Sequence, residues 1–476
     1  MINTHAGGVT DGARLPAKMP QTEKRERAQL GFHLQAHPPA TGVARGRGCA
    51  LLLACARPGR QKGTESCSLG ANRISQARLF TRKHKILKLM PMKDKTLRVI
   101  RLFEFYVQFI WPLHRRFVRS KYAKRCGRCA ASEKMVKLNS EGICQLCLDQ
   151  KSKPPTQREV RNEALVEQFN ATLSKSTSGQ RRNYDALVLF SGGKDSTYMI
   201  HRIRQEHPNL RLLAYTIDNG FMSPIAIENV NEMVVKMDLD HIFVKPPKKF
   251  YIQLFRYALT HLNAEGSYGT VDFSDGEFML DTARKIAAEK RIPIILCGYS
   301  RYQVQNGLKL DDYKSPPSVE ASDRTEVAGL KLNQIFDSVD LARWWKDSEW
   351  DSNERAQLVF PLYVWDLDEE EIKAKVREWG LLRAKEYSPA ATNHQLIPLL
   401  GVVDVHQFGF SSFEYEFCRM IREGKADLHH WQMTFEFLEY TARTGLFLKP
   451  TVLELLDQLD LTCEDVGIQF GKEFQK

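Results

Sequence analysis

A seven-residue turn, SGGKDST at 191–197, constrains the fold of this chain more than any other feature. It follows the apolar run YDALVLF at 184–190, which predicts a buried strand, and it precedes a segment with helical apolar spacing. A strand, a small-residue turn and a helix N-terminus together make a place for a phosphate group. Glycines let backbone N–H groups approach the anion, and the positive end of the helix dipole faces it. The turn therefore predicts a phosphate-binding loop.

The predicted nucleotide-binding residues of this loop are consecutive: Ser191, Gly192, Gly193, Lys194, Asp195, Ser196 and Thr197. Two of them are also predicted to act in catalysis. Lys194 would place a positive charge beside the phosphates, and Asp195 would orient Mg²⁺ on the pyrophosphate. The spacing differs from that of the Walker loop and from G-x-G-x-x-G. It resembles the S-G-G-x-D-S signature of the PP-loop ATP pyrophosphatases, which cleave ATP to AMP and pyrophosphate while adenylylating an acceptor.

Short apolar runs alternate with helical segments after the loop. The pattern predicts an α/β fold with a parallel sheet covered by helices on both faces. Strands are predicted at 184–190, 211–217, 241–244 and 292–296, and helices at 196–206, 224–237, 250–263 and 276–290. Ligands of such sheets bind at the carboxyl ends of the strands. The resemblance to PP-loop enzymes, which contact the nucleoside at the end of the second strand and close on it with a later glycine-containing loop, implies that Asp218 contacts ribose or Mg²⁺. It likewise implies that Gly298, after the 292–296 strand, allows close approach of the nucleotide.

Two further polar segments are candidates for substrate contact. Residues 272–277 (DFSDGE) are predicted to open a helix with Ser274 or Asp275 as N-cap, so the acids are either capping or catalytic groups. His394 is interpreted as a structural histidine, with an acid–base or ligand role as the alternative, because the sequence identifies no partner for it.

Four cysteines form two C-x-x-C pairs separated by fourteen residues: Cys126, Cys129, Cys144 and Cys147. This spacing predicts a zinc-ribbon-like module with a tetrahedral, structural Zn²⁺ site. A disulfide pair, a redox or sulfur-transfer role and an iron–sulfur cluster remain the alternatives.

The net charge of +12 comes from one end of the chain. Residues 1–90 contain sixteen Lys or Arg and four acidic residues, whereas the rest contains 53 of each. A neutral body gives no support for binding nucleic acid. Residues 1–90 are predicted to be a disordered basic extension, with an organelle transit peptide and a late signal-peptide core as alternatives and Met90 or Met92 as a possible working start. The protein is expected to be cytoplasmic.

The remaining domain predictions follow the chain. An aromatic and basic helix is predicted at 91–125, the cysteine module at 126–150, a linker helix at 151–183, and the ATP pyrophosphatase domain at 184–310. Residues 311–476 are predicted to be a mainly helical region for substrate or partner. Residues 99–125 either contact an anionic membrane surface peripherally or pack on the domain or on a partner.

The combination resembles the N-acetyl sugar amidotransferase family of PP-loop enzymes. The resemblance is carried by EGICxxC at 141–147, FSGGKDS at 190–196, TIDNGF at 216–221 and SxFEYEFxxxIREGK at 411–425. It implies an enzyme of surface-polysaccharide biosynthesis that uses ATP and Mg²⁺ to convert a sugar acetamido group to an acetamidino group. It also implies a sugar nucleotide or lipid-linked sugar as substrate, and a separate glutaminase subunit as the source of ammonia. A PP-loop tRNA sulfur transferase and a non-enzymatic nucleotide-fold scaffold are the alternatives.

Overall fold

The computed structural model describes residues 101–149, 155–177, 182–316, 323–352, 354–381 and 394–471. The prediction of a disordered extension at 1–90 lies outside these ranges. The described strands are β1 (Ala186–Leu189), β2 (Leu212–Ile217), β3 (Asp240–Val244), β4 (Ile294–Leu296), β5 (Glu326–Val327), β6 (Leu330–Lys331) and β7 (Gln357–Val359). Within the described residues, five of them form a parallel sheet in the order β3-β2-β1-β4-β7, and β5 pairs with β6 in an antiparallel hairpin.

The strand order reverses beside β1. The chain runs from β1 outward to β2 and β3, and then returns to add β4 on the other side of β1. Parallel sheets bind ligands beside such a switch point, at the carboxyl ends of the strands. The phosphate loop follows β1, so the sequence places it at this switch point.

The described helices are α1 (Trp111–His114), α2 (Gln145–Asp149), α3 (Pro155–Ser176), α4 (Lys194–Glu206), α5 (Pro224–Lys236), α6 (Lys248–Thr260), α7 (Phe273–Glu289), α8 (Ser338–Leu341), α9 (Pro361–Trp365), α10 (Glu369–Glu378), α11 (Ile397–Gln407), α12 (Glu414–Arg422), α13 (Leu428–Thr444) and α14 (Lys449–Gln458). Single π-helical turns occur at Tyr106–Ile110, Tyr268–Asp272 and Gln303–Gly307, and 3₁₀ turns at Arg119–Lys121, Leu332–Gln334 and Asp347–Glu349.

The sheet forms where the sequence is apolar without interruption. All four residues of β1 and all three of β4 are buried, and successive strand residues point to opposite faces. Both faces of the sheet are therefore covered, which confirms the predicted fold class. The four predicted strands and the four helices predicted after them are present, with ends that differ by a few residues.

Local chemistry explains where several helices begin and end. Ser223 caps α5 by accepting a hydrogen bond from the Ile225 amide, with Pro224 in the first helical position. Asp427 caps α13 in the same way, and Gly445 ends that helix with a φ of 78°.

A second apolar core combines residues from between the sheet strands with residues that follow the last strand. It joins α6 to α11 and α14, with Phe250, Leu400 and Val452 among its fully buried members. The cysteine module packs on α12 and α13 against Cys418 and Phe435.

Two elements differ from the sequence predictions. The fifth sheet strand, β7, lies in the segment predicted to be a separate, mainly helical region; its three residues pair with β4 and are too few to show a period. The prediction of Ser274 or Asp275 as an N-cap is wrong. The π-turn Tyr268–Asp272 runs directly into α7, so both residues lie inside a continuous helix.

Candidate active site

At one position of the phosphate loop, the backbone conformation and the close neighbours allow only glycine. Gly192 has a φ of +76°, and a Cβ atom there would lie 2.3 Å from the carbonyl oxygen of Ala226. Gly193 is the extended residue at the N-cap of α4. The hydroxyl oxygens of Ser191 and Ser196 lie 3.2 Å apart across the loop. The loop is thus a tight turn that directs the N-terminus of a thirteen-residue helix at the switch point.

The two predicted catalytic residues begin α4 and contact each other. The Lys194 ammonium donates to Asp195 at 2.8 Å and lies 3.9 Å from the carboxylate of Glu369 at the start of α10. Burial lowers the pKa of Lys194, but the carboxylates of Asp195 and Glu369 raise it by more, so the net pKa lies above its ordinary value. Lys194 therefore remains a cation at neutral pH, while the Asp195 side chain is 43% exposed. Thr197, by contrast, is fully buried beneath the loop.

Gly298 lies directly on the phosphate loop. A Cβ atom at Gly298 would stand 3.4 Å from the Cα atom and 3.5 Å from the backbone nitrogen of Ser196. The end of β4 therefore touches the first turn of α4, as the strand order requires.

Asp218 lies at the end of β2 and is buried. Its carboxylate accepts a hydrogen bond from the Gly220 amide at 2.8 Å and lies 2.8 Å from the ammonium of Lys245. The structure thus brings Asp218 to the same edge of the sheet as the loop, where it forms an ion pair with Lys245, the residue after β3.

His394 has partners that its sequence position did not reveal. Its Nε2 atom lies 2.5 Å from Nδ2 of Asn219, which in turn donates to Asp275 at 2.7 Å. The His394–Asp275 distance is 3.5 Å, and the second carboxylate oxygen of Asp275 is buried with no hydrogen-bond partner among the described residues. Burial also raises the pKa of the neighbouring Asp272 to about 6. This buried polar cluster joins the end of β2, the start of α7 and the C-terminal region.

Glu416 is the functional candidate that sequence reasoning missed. It is a buried residue of α12 whose carboxylate accepts hydrogen bonds from Ser300, beyond β4, at 2.8 Å and from Tyr268 at 3.1 Å. Burial raises its pKa to about 7; the charge of Asp195 adds to the increase and that of Lys194 opposes it. A carboxyl group that titrates near neutral pH beside the loop suits proton exchange. The only sequence signal was its place within the 411–425 segment.

The four cysteine sulfurs converge in a buried cluster. The sulfurs all lie within 4.8 Å of one another, with 3.8 Å between those of Cys126 and Cys147 and 3.7 Å between those of Cys129 and Cys144. Metal–sulfur bonds of about 2.3 Å in a tetrahedron separate the sulfurs by about 3.8 Å. The cluster therefore fits one tetrahedral metal ion.

Arg125, next to the first cysteine, anchors the module. Its guanidinium lies 2.7 Å from Glu414 of α12 and 3.2 Å from Glu439 of α13, and each of these side chains is 1% exposed. Burial lowers the pKa of Arg125, but the carboxyl groups of Glu414 and Glu439 raise it by more, so Arg125 remains a cation held between two buried acidic side chains.

The fold has distant likenesses among solved structures. U34-tRNA thiolase NcsA from Methanococcus maripaludis, with its 4Fe–4S cluster, matches at 12% identity and a TM-score of 0.29, over 74% of this chain and 94% of that one. NH3-dependent NAD synthetase from Campylobacter jejuni matches at 10% identity and a TM-score of 0.26, over 66% of this chain and 99% of that one. No protein-family model and no curated protein matches the chain.

Proposed function

We propose that the protein is a PP-loop ATP pyrophosphatase that adenylylates the acetamido oxygen of an N-acetyl sugar and replaces it with ammonia. The observation that carries the ATP-binding part of the proposal is the pairing of Lys194 and Asp195 at a helix N-terminus, at the switch point of a parallel sheet. That arrangement supports binding of a polyphosphate rather than of a neutral ligand. The sugar substrate is taken from the motif resemblance at 141–147, 190–196, 216–221 and 411–425.

The chemistry proceeds in two steps. The amide oxygen bonds to the α-phosphorus of ATP, the α–β bond breaks and pyrophosphate leaves. Ammonia then bonds to the activated carbon, the C–O bond breaks, AMP leaves with the former amide oxygen, and the nitrogen gives up a proton. An amide oxygen is a poor leaving group, and adenylylation corrects this.

The described side chains supply three parts of that sequence. The Lys194 ammonium would stabilise negative charge on the departing pyrophosphate. Asp195 would hold Mg²⁺, which supplies further positive charge to the phosphates. Glu416, with its pKa raised to about 7, is placed to take up a proton near the loop. Gly192 and Gly298 would let the backbone come close to the nucleotide, and Asp218 would contact its ribose or share the Mg²⁺.

The source of ammonia is proposed to be a separate glutaminase subunit. A glutaminase nucleophile must be an accessible thiolate. Cys297 is completely buried, and burial raises its thiol pKa. Cys418 is likewise buried, and its pKa is raised by a hydrogen bond with Cys129 and by burial. Neither residue suits glutamine hydrolysis.

The cysteine module is proposed to hold a structural Zn²⁺. All four sulfurs are buried and stand at the separations of a single tetrahedral ion. A four-iron cluster takes one thiolate on each of its irons and would hold the sulfurs farther apart. The closed geometry also leaves no sulfur presented for transfer, which argues against thiolation of tRNA.

An isotope-tracing assay tests the reaction directly. The protein receives ATP, Mg²⁺, ammonium and an N-acetyl sugar nucleotide whose acetamido oxygen is a heavy isotope. We expect pyrophosphate, AMP that carries the heavy oxygen, and a sugar in which NH replaces O. Formation of ADP, or AMP without the label, would contradict the proposal, and accumulation of thiolated tRNA would replace it with the sulfur-transfer function.

A further inference from the structure

A row of large apolar side chains is exposed on the helical segment 101–114 and on the turn at 115–117 that follows it. The helical residues stand three or four positions apart, so they share one side of the helix, and Phe117 extends the row into the turn. We call this set the apolar face: Leu102 (52% exposed), Phe105 (52%), Phe109 (59%), Leu113 (63%) and Phe117 (87%). Scattered exposed apolar residues are ordinary, but a continuous row of this kind marks a docking surface.

The opposite side of the same segment is fixed to the protein. Trp111 is completely buried, with its ring 5.2 Å from both Phe437 and Tyr440 of α13. Tyr106 stacks on Phe437 at 4.8 Å, and Val107 is buried beside it. The π-helical turn before Pro112 lets the segment continue past the proline. Because the inner side is anchored, the apolar face points outward in a fixed orientation.

Basic side chains border the apolar face. Residues 101–125 contain seven Lys or Arg and one acidic residue. Arg115 pairs with Glu436 at 2.5 Å, and Arg125 is held between its two buried glutamates. Arg119 is exposed but also donates to the carbonyl oxygens of Tyr122 and Ala123. Arg116, Arg119 and Lys124 are exposed just beyond the apolar row. The surface therefore combines an apolar stripe with a cationic rim.

No described helix is long and apolar enough to cross a membrane.

We propose that the apolar face docks on an anionic membrane surface, with the aromatic side chains in the acyl–headgroup boundary and the basic rim on the lipid phosphates. An amphipathic helix with Phe and Leu on one side and Arg and Lys at its border binds lipid in this way. A second copy of the chain fits less well, because a symmetric contact would bring the two cationic rims together. The inference is independent of the proposed reaction.

Vesicle flotation of the full-length protein tests the proposal. One set of vesicles contains phosphatidylcholine and phosphatidylglycerol in equal amounts, and the other contains phosphatidylcholine alone. We expect the protein to float with the anionic set and to detach as salt is raised. Replacing Phe109→Ser together with Phe117→Ser should lower the bound-to-free ratio about tenfold or more. Val235→Ser is the matched control, since Val235 is 80% exposed on α5, away from the apolar face.

The double variant keeps the basic residues 1–90, so any binding by that extension is common to both proteins. Equal flotation of the double variant and the wild type would overturn the proposal, as would a wild type that stays unbound. A dimer that the two Phe substitutions abolish, without any vesicle binding, would assign the face to a second copy instead.

Fluorescence quenching of an introduced tryptophan tests the same contact without relying on a variant that loses binding. In Phe109→Trp, brominated lipids should quench the added fluorescence when anionic vesicles are present. In Val235→Trp they should not. Equal quenching in both variants, or none in either, would contradict docking through this face.

Discussion

The cysteine module and the phosphate-loop site are both proposed to hold a charged group, and they are assembled in different ways. The four sulfurs of the module come from 22 consecutive residues, in a short segment closed by two isolated β-bridges. The loop site instead collects Lys194 after β1, Gly298 after β4 and Glu416 from α12, which are up to 222 positions apart in the chain. One site is local, whereas the other exists only when the whole domain is folded.

This difference predicts what each site contributes. A local, closed and buried centre is expected to contribute mainly to stability, because its metal binds only the folded module. A site assembled from distant elements and left partly open is expected to contribute mainly to rate, because its charges are held ready for a ligand. The following substitutions test that division.

The largest effect is expected from Cys144→Ser. Loss of one thiolate should release the metal and lower the free energy of unfolding by about 5 kcal/mol or more, since the binding energy of a structural ion is folding energy. Metal analysis and chemical denaturation measure this. Cys463→Ser, outside the module, should keep both metal and stability; an unchanged metal content in Cys144→Ser would remove the assigned centre.

Asp195→Asn comes next, and its effect should be on rate. We expect pyrophosphate release to fall about 10²- to 10³-fold, the cost of removing one preorganised charged group, or about 3–4 kcal/mol in the barrier. The melting temperature should fall only slightly, because Asp195 is partly exposed and Glu369 remains near the Lys194 ammonium. Asp457→Asn on the exposed side of α14 is the control. A fully active Asp195→Asn enzyme would show that the site lies elsewhere.

Glu416→Gln sharpens the comparison because Glu416 is expected to affect both stability and reaction rate. Burial raises the pKa of its carboxyl from 4.5 to about 7, so the folded protein keeps a proton that the unfolded chain releases. Stability from this group is therefore complete below pH 4.5 and is lost as pH rises to about 7, by up to about 3 kcal/mol. Denaturation at several pH values should show this loss in the wild type and not in Glu416→Gln.

Asp272 and Asp404, whose pKa values burial also raises to about 6, contribute the same slope to both proteins and cancel in that comparison. Glu454→Gln, on an exposed position of α14, should retain the wild-type slope. A parallel pH dependence in Glu416→Gln and the wild type would show that Glu416 is not the titrating group.

Alanine substitutions at Gly192 in the loop and at Gly298 after β4 should have smaller effects on stability, and the two effects should differ. Gly192→Ala forces a positive φ and a 2.3 Å contact with a backbone oxygen, so we expect a loss of about 2–3 kcal/mol and weaker ATP binding. Gly298→Ala adds a Cβ at 3.4 Å, an ordinary contact, and should cost less than about 1 kcal/mol. Thermal melts and ATP titrations measure both. Equal costs would contradict the positive φ and the 2.3 Å contact as the features that require glycine at position 192.

The parts predicted from sequence are those that depend on neighbouring residues. Strands such as 184–190 and the loop after it were recognisable because apolar runs and small-residue turns act locally. The three-residue β7 was missed because its pairing with β4 spans about sixty positions and leaves no period. Glu416 was missed for the same reason, since its buried carboxylate is positioned by hydrogen bonds from Ser300 and Tyr268, which only the tertiary fold brings close to it.

His394 also shows that sequence patterns do not reveal tertiary contacts, although here the residue itself had been singled out. The sequence favoured a structural role because no partner could be identified. Its actual neighbours, Asn219 and Asp275, come from the end of β2 and the start of α7. Local pattern identified the residue but not its environment.

The buried triad of Arg125 with Glu414 and Glu439 has a practical consequence for anyone who assays this protein. Glu414 lies two residues before Glu416 on α12, so the cysteine module and the proposed proton-exchanging residue share one helix. Partial metal loss during purification is then expected to lower the apparent turnover without any change at the phosphate loop. A slow enzyme and a half-loaded enzyme would look alike in a rate measurement, which makes the metal-to-protein ratio the first quantity to determine in every preparation.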